Sequence, residues 1–335
     1  MTPIYTENAV ILAPLAEYTD YPFRRACRRL GCYYAFTPLV NAACLTYAPE
    51  RCAITLQRGH DEPWLGVQLL GSNPEYINTA MKIINRHEFD VLDLNMGCPV
   101  LKVTKLGAGA NLCLNTPLAL SCLDVMIKHS RCPVTAKIRI LSMEDPEPTI
   151  QLAISLQNIG IQCLTIHGRL RKAVYSGPVA VNIIRAVRDA VKIPVIANGG
   201  IFDVATAMAL RQATGCGRIM IARGAIGNPW IFKNIALHDT DPFNPTIHAH
   251  PDTAELCDII EEHIGGMIEL YGEQRGSICS RKLILAYLRS RGYSKDRKVQ
   301  ASHLSSLAGL RAFIHYLRTE VPVAVPNLPR TLETI

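Results

Sequence analysis

Polar and ionisable residues close a series of short apolar runs in this sequence, one after another. They are Gln68 in "WLGVQLLG", Asn95 with Cys98 just beyond it in "DVLDLNMGCP", Lys137 and Arg139 in "PVTAKIRI", His167 in "CLTIHG", Asn198 in "IPVIANGG" and Arg223 in "RIMIARG". Lys137 is costly to bury unless it meets a negative partner. It could serve as a Schiff-base nucleophile or as a cation beside an electron-rich cofactor. His167 alone fits an ordinary core histidine as well as a chemical role. The glycines of "NGG" (198–200) and "ARGAIGNP" (222–229) let backbone N–H groups approach a phosphate, and Arg223 can add a charge-assisted contact. These features point to a bound, phosphate-bearing cofactor. Cys98 stands between Gly97 and Pro99, where an apolar run gives way to lysines and glycines.

The apolar runs alternate with stretches of helical periodicity over residues 1–240. They start at 9, 33, 64, 90, 133, 163, 193 and 218, which is the strand count of a (β/α)8 TIM barrel, an α/β fold whose active site forms at the C-terminal ends of the strands. "YPFRRACRRLG" and "PEYINTAMKIINRH" read as two of the intervening helices. Residues 241–252 hold prolines and read as a linker. Residues 253–322 show helical periods and no strand signal, so a smaller all-α helical-bundle domain is expected there, with an extended tail over 323–335.

The chain of 335 residues is 49% hydrophobic and carries a net charge of +7. Between Arg275 and Arg318 ten Lys/Arg stand against one acid, Asp296, a local +9 that suggests a polyanionic partner. In "SRKLILAYLRSRG", Lys282 and Arg289 share one face and Ile284, Tyr287 and Leu288 the opposite one. No apolar stretch is long enough to span a membrane, and no secretory signal precedes the first run, so a cytoplasmic location without membrane contact is expected. The twelve cysteines form no CxxC pair and no zinc-type cluster, so no metal is expected and most thiols read as small buried hydrophobes.

The segments "APLAEYTDYPFR", "VQLLG", "DLNMGCPVLKVTKLGAGANL", "AKIR", "IHGR", "PVIANGGI" and "RGAIGNPWIF" occur in the order and spacing of the tRNA-dihydrouridine synthases. By these motifs the barrel resembles that family closely; the helical part, with "RKLILAYLR", fits more loosely. The resemblance implies an FMN enzyme that reduces the 5,6 double bond of uridines in tRNA, with NADPH as hydride donor. It implies that FMN lies against Pro14, Leu15 and Ala16, with Gln68 and Lys137 on its ring system. Its phosphate would sit on Asn198, Gly199, Gly200, Ala222 and Arg223, with His167 nearby. Cys98 would donate the proton to carbon 5, a role open to an ordinary thiol, which titrates near about 8.5 and keeps its proton at neutral pH. Asn95 and Lys102 would orient the base, and Arg281, Lys282, Arg289 and Arg291 would contact tRNA phosphates. A target uridine must be turned out of its stack to reach such a site.

The sequence departs from the family pattern at several places. Glu17 and Tyr18 stand where Gly and Val are usual, Pro38 where an acid is common, and Ala222 where glycine is usual. These changes leave Cys98, Lys137, His167 and Arg223 in place, so they bear on target choice. Two other readings are an FMN oxidoreductase acting on another RNA or a small pyrimidine, and a non-catalytic tRNA-binding relative. The basic C-terminal region argues against a small substrate, and the intact strand-end set against inactivity. A monomer is expected.

Overall fold

Alternate residues of each apolar run face opposite surroundings, and this period of two makes the runs strands. The structure is a computed structural model that describes residues 3–247 and 250–323. Its strands are β1 (Val10–Leu12), β2 (Tyr34–Phe36), β3 (Val40–Asn41), β4 (Leu65–Leu70), β5 (Val91–Met96), β6 (Val134–Arg139), β7 (Leu164–His167), β8 (Val195–Asn198) and β9 (Ile219–Ile221). All pairings are parallel. β1 pairs with both β2 and β9, and β2 pairs with β4, so the sheet closes into the expected eight-stranded barrel. β3 is a two-residue continuation of the second run along β4. The run at 33–40, read as one strand, is split because Pro38 has no N–H to give to a ladder.

Helices α1 (Tyr21–Arg29), α2 (Ala42–Tyr47), α3 (Pro74–Ile84), α4 (Leu101–Thr104), α5 (Thr116–His129), α6 (Glu147–Ile159), α7 (Val181–Ala190), α8 (Val204–Thr214) and α9 (Trp230–Thr240) run between or after the strands. Local chemistry sets their starts. Asp20 accepts from the N–H of Phe23 to cap α1, and Asn73 accepts from those of Glu75 and Tyr76 to cap α3.

The alternation sorts the strand residues into two cores. Leu92, Leu94 and Met96 of β5 face outward and pack with the helices. Ile11, Phe36, Trp64, Val91, Cys163, Ile196 and Met220 face inward and fill the lower barrel with Tyr5. Two or four residues further along the same inward rows come Gln68, Asp93, Asn95, His167, Asn198 and Ala222. The barrel is therefore apolar at its base and polar at its C-terminal end.

The remaining helices are α10 (Thr253–Tyr271), α11 (Glu273–Tyr287), α12 (Lys295–Ser302) and α13 (Leu307–Thr319). Leu256, Ile260, Leu283, Ile284, Tyr287, Phe313 and Leu317 form their core, which also takes in Ala26 and Leu30 of the barrel and Trp230 of α9. Burial of each such side chain is worth about 1.5–3 kcal/mol, so the shared core fixes the helices on the barrel. Polar contacts add direction: Arg29 pairs with Glu262 at 2.6 Å, and the Tyr271 hydroxyl donates to Asp20 at 3.0 Å. The tail expected at 323–335 lies, apart from Val323, outside the described residues.

Candidate active site

A cavity of about 600 Å³ opens at the C-terminal ends of the strands, within the range that holds a cofactor-sized molecule. Its lining includes Pro14, Leu15 and Ala16 after β1, Gln68 of β4, Asn95 and Cys98 at β5, and Lys137 and Arg139 of β6. His167 and Arg169 at β7, Asn198, Gly199 and Gly200 at β8, and Ala222 and Arg223 after β9 complete the floor and far wall. Lys282, Ala286 and Arg289 close over one side from α11 and the turn after it.

Cys98 differs from most of the other cysteines by exposure. Cys27, Cys32, Cys52, Cys113, Cys122, Cys163, Cys216 and Cys257 are buried, whereas Cys98 is half-buried on the cavity wall. Its neighbour Cys113 shows the alternative: its Sγ donates to the Met96 carbonyl at 2.9 Å, and burial pushes the thiol up to about 12.

A chain of hydrogen bonds holds the Cys98 loop. Asn95 Oδ1 accepts from the backbone N–H of Gly97 at 3.2 Å and of Cys98 at 2.9 Å. Asn95 Nδ2 donates to Gln68 Oε1 at 2.6 Å, and Gln68 Nε2 donates to Asp93 Oδ2 at 2.7 Å. The Thr135 hydroxyl donates to the other Asp93 oxygen at 2.7 Å. Burial pushes the Asp93 carboxyl up to about 6, so it is chiefly an acceptor at neutral pH. An acceptor at the base turns the Gln68 amide nitrogen toward itself and the oxygen toward Asn95, which orients Asn95 toward the loop. From the other side, Gly109 has φ +60°, and a Cβ there would stand 2.6 Å from the Cys98 carbonyl oxygen, so only glycine fits.

The rest of the cavity is cationic. Lys137, Arg139, Arg169, Arg223, Lys282 and Arg289 line it, with no carboxylate among the lining residues. Lys137 Nζ donates to Asn198 Oδ1 at 2.8 Å, and burial, with Arg139 alongside, draws its ammonium down to about 8. His167 is held well below the ordinary imidazole range by burial and by the cations Lys137, Arg139, Arg169 and Arg223, so it is neutral at pH 7. Arg139 ties the loops after β5 and β7 together through the carbonyls of Gly97, Leu170 and Val174. Arg223 lies 4.8 Å from the Tyr175 ring and 5.4 Å from that of Phe202.

Arg169 is 1% exposed, and its Nε donates to the Gly177 carbonyl, yet neither Nη finds a partner among the described residues. Two unsatisfied guanidinium nitrogens buried among other cations call for an anion. Gly199 and Gly200 both have positive φ at this end. Orphaned donors, excess charge and glycine turns together fit a phosphate group, and Pro14, Gln68 and Lys137 line the same cavity. Arg169 is absent from the residues singled out on sequence; its signal was its place directly after "IHG". Asp93 was also missed, since an acid in mid-strand looks like any other inward residue until Gln68 and Thr135 are seen to meet it.

The expected RNA contacts divide. Lys282 and Arg289 are exposed on the cavity lip, and Lys102 is exposed on α4 without lining the cavity. Arg281 is half-buried and donates to the Leu304 carbonyl at 2.7 Å. Arg291 turns inward, donating to the Gly227 and Tyr287 carbonyls with its guanidinium 5.3 Å from the Trp230 ring. Burial lowers Arg291 to about 10. Arg291 therefore braces the helices, whereas Arg281 donates to a carbonyl only through its Nε. Among the described residues no helix is long and apolar enough to cross a membrane, and no group of three or more His, Cys, Asp or Glu side chains could hold a metal ion.

The family model described as Dihydrouridine synthase (Dus) matches residues 11–316. The tRNA-dihydrouridine synthase B of Pasteurella multocida is 33% identical over 283 residues, covering 84% of each chain. The probable tRNA-dihydrouridine synthase of Rickettsia prowazekii is 36% identical over 290 residues, covering 85% of this chain and 86% of that one. Among solved structures, a morphinone reductase mutant in complex with tetrahydroNAD matches 68% of this chain and 86% of its own with a TM-score of 0.50. At 12% identity that is a likeness of fold. With the family match running from the first strand into the last helix, and relatives above 30% identity over most of their length, this chain belongs to the dihydrouridine synthase family of oxidoreductases.

Proposed function

We propose that this protein is a cytoplasmic, monomeric tRNA-dihydrouridine synthase that reduces the 5,6 double bond of uridines in tRNA, with FMN in the cavity and NADPH as reductant. The observation that carries the reading is a single cavity with an anion cradle on one side and an accessible thiol, Cys98, on the other. Arg169 and Arg223, with the Asn198–Gly200 turn, would hold the phosphate; the backbone from Pro14 to Ala16, with Gln68 and Lys137, would hold the rings. When bound, FMN would supply the hydride for carbon 6 of the uracil, with NADPH as its source.

The chain's own residues do the rest. Cys98 Sγ gives its proton to carbon 5, which completes the addition of two hydrogens across the double bond, and its thiolate recovers a proton from solvent at the open mouth. Arg139 pins the start of the Cys98 loop through the Gly97 carbonyl, at 2.7 Å. Asn95 fixes the loop from which the thiol projects. A flipped-out nucleotide enters past the lip formed by α11 and the turn after it, whose positive charge attracts the RNA backbone.

The test is a pair of half-reactions on purified FMN-loaded protein under anaerobic conditions. NADPH should bleach the flavin, and tRNA lacking modifications should restore its absorbance while forming dihydrouridine. Bleaching followed by reoxidation only on admission of oxygen would remove tRNA as the acceptor.

A further inference from the structure

The loop after β1 carries Glu17 and Tyr18, two departures from the usual family pattern, and both reach one lysine across the cavity mouth. Glu17 has φ +64°, a conformation in which glycine is at ease and a side chain is strained. Its Oε2 nevertheless pairs with Lys282 Nζ at 2.8 Å, and the Tyr18 ring centre lies 4.4 Å from the same nitrogen. The Lys282 hydrogen bond draws the Glu17 carboxyl below its ordinary range, as expected of a formed pair. Arg289, seven residues on, lines the same lip and is exposed, and its guanidinium has no hydrogen bond or ion pair among the described residues. Of the two lip cations, one is occupied by a carboxylate and the other is free.

We propose that Glu17 sets the RNA register at the cavity mouth: by holding Lys282 it leaves Arg289 as the cation that receives the backbone phosphate beside the entering nucleotide. A carboxylate and a phosphate compete for the same ammonium, and the fixed negative charge of Glu17 also repels a phosphate approaching from that side. RNA lying across the lip at Lys282 must displace Glu17, whereas RNA lying at Arg289 displaces nothing. This assignment rests on the tRNA reading above.

The experiment compares wild type, Glu17→Gln, Lys282→Ala, the Glu17→Gln/Lys282→Ala double variant and Arg289→Ala. Binding of unmodified tRNA and of a single-stranded oligouridylate is followed by fluorescence anisotropy over a salt series, and dihydrouridine positions are mapped in the product tRNA. Glu17→Gln should bind the oligouridylate about threefold tighter or more, with a salt slope steeper by about 0.7, the increment for one added single-strand phosphate contact. It should also reduce uridines that wild type leaves alone. Both gains should vanish in the double variant, and Arg289→Ala should weaken tRNA binding more than Lys282→Ala does. Unchanged affinity, slope and target set in Glu17→Gln, or gains that survive loss of Lys282, overturn the assignment alone. A wild-type protein that binds neither RNA overturns the tRNA reading, and the assignment with it.

Discussion

Asn95 Oδ1 accepts the backbone N–H of Cys98 at 2.9 Å, so a strand-end amide helps to place the cavity thiol. The same side chain donates to Gln68 at 2.6 Å, which ties the position of Cys98 to the polar floor of the barrel. Asn95→Ala strands two loop N–H groups and the Gln68 oxygen together. Stability should fall by about 1–3 kcal/mol, the cost of leaving buried polar groups unpaired. Turnover should fall further than the stability loss explains, while FMN remains bound. Denaturant unfolding and steady-state kinetics on the same preparation check both.

Gly109→Ala tests the other side of that loop. The substitution places a Cβ 2.6 Å from the Cys98 carbonyl and forces alanine to φ +60°, costing about 1–2 kcal/mol before any clash is relieved. The loop must shift, so dihydrouridine formation should drop strongly with little change in reduction of the flavin by NADPH. Equal loss in both half-reactions would point to general misfolding.

Much of this arrangement was legible in the sequence, for a physical reason. A parallel barrel repeats one short apolar run per strand, and each run ends at the same rim, so Gln68, Asn95, Lys137, His167, Asn198 and Arg223 could be gathered before any geometry was known. The break at Pro38 was less visible because apolar residues lie on both sides of it. Arg291 could not be told from Lys282 and Arg289, since charge and helical period do not reveal which cation folds back onto carbonyls. The partner of Lys282, Glu17, lies 265 residues away in sequence, and no local pattern links them.

If Lys137 holds the cofactor as proposed, its charge should make cofactor binding depend on pH. Its folded pKa is drawn down to about 8, below the ordinary lysine value, so the empty site carries this charge below pH 8 and loses it above. Affinity of the apoprotein for FMN should therefore be flat up to about pH 8 and then weaken by up to about tenfold per pH unit. Flavin fluorescence quenching between pH 7 and 9.5 measures this. Lys137→Met should bind more weakly throughout and lack the break.

A second pH effect concerns stability. His263 is buried between Phe23 and Tyr287, and burial lowers its folded pKa to about 3, against about 6.5 for an unfolded histidine. The unfolded chain therefore binds this proton first as pH falls. The contribution to stability is intact above pH 7 and is lost progressively from about pH 6.5 down toward pH 3. Between pH 7 and pH 5 the loss should be about 2 kcal/mol from this residue. Urea unfolding at the two pH values should show a smaller loss by about that amount in His263→Gln.

The most direct measurement is mass-spectrometric mapping of dihydrouridine in tRNA from cells lacking this protein, restored in parallel with wild type or Cys98→Ala. Restoration by wild type should return the two-hydrogen mass increment at defined uridines. Cys98→Ala, which should purify with FMN and still accept electrons from NADPH, should return it at a rate lower by about 10²–10⁴, the usual worth of a positioned acid. Full restoration by Cys98→Ala would contradict the assignment of the proton donor. Absence of the increment with wild type, in cells and with purified FMN-loaded protein on unmodified tRNA, would contradict the function itself.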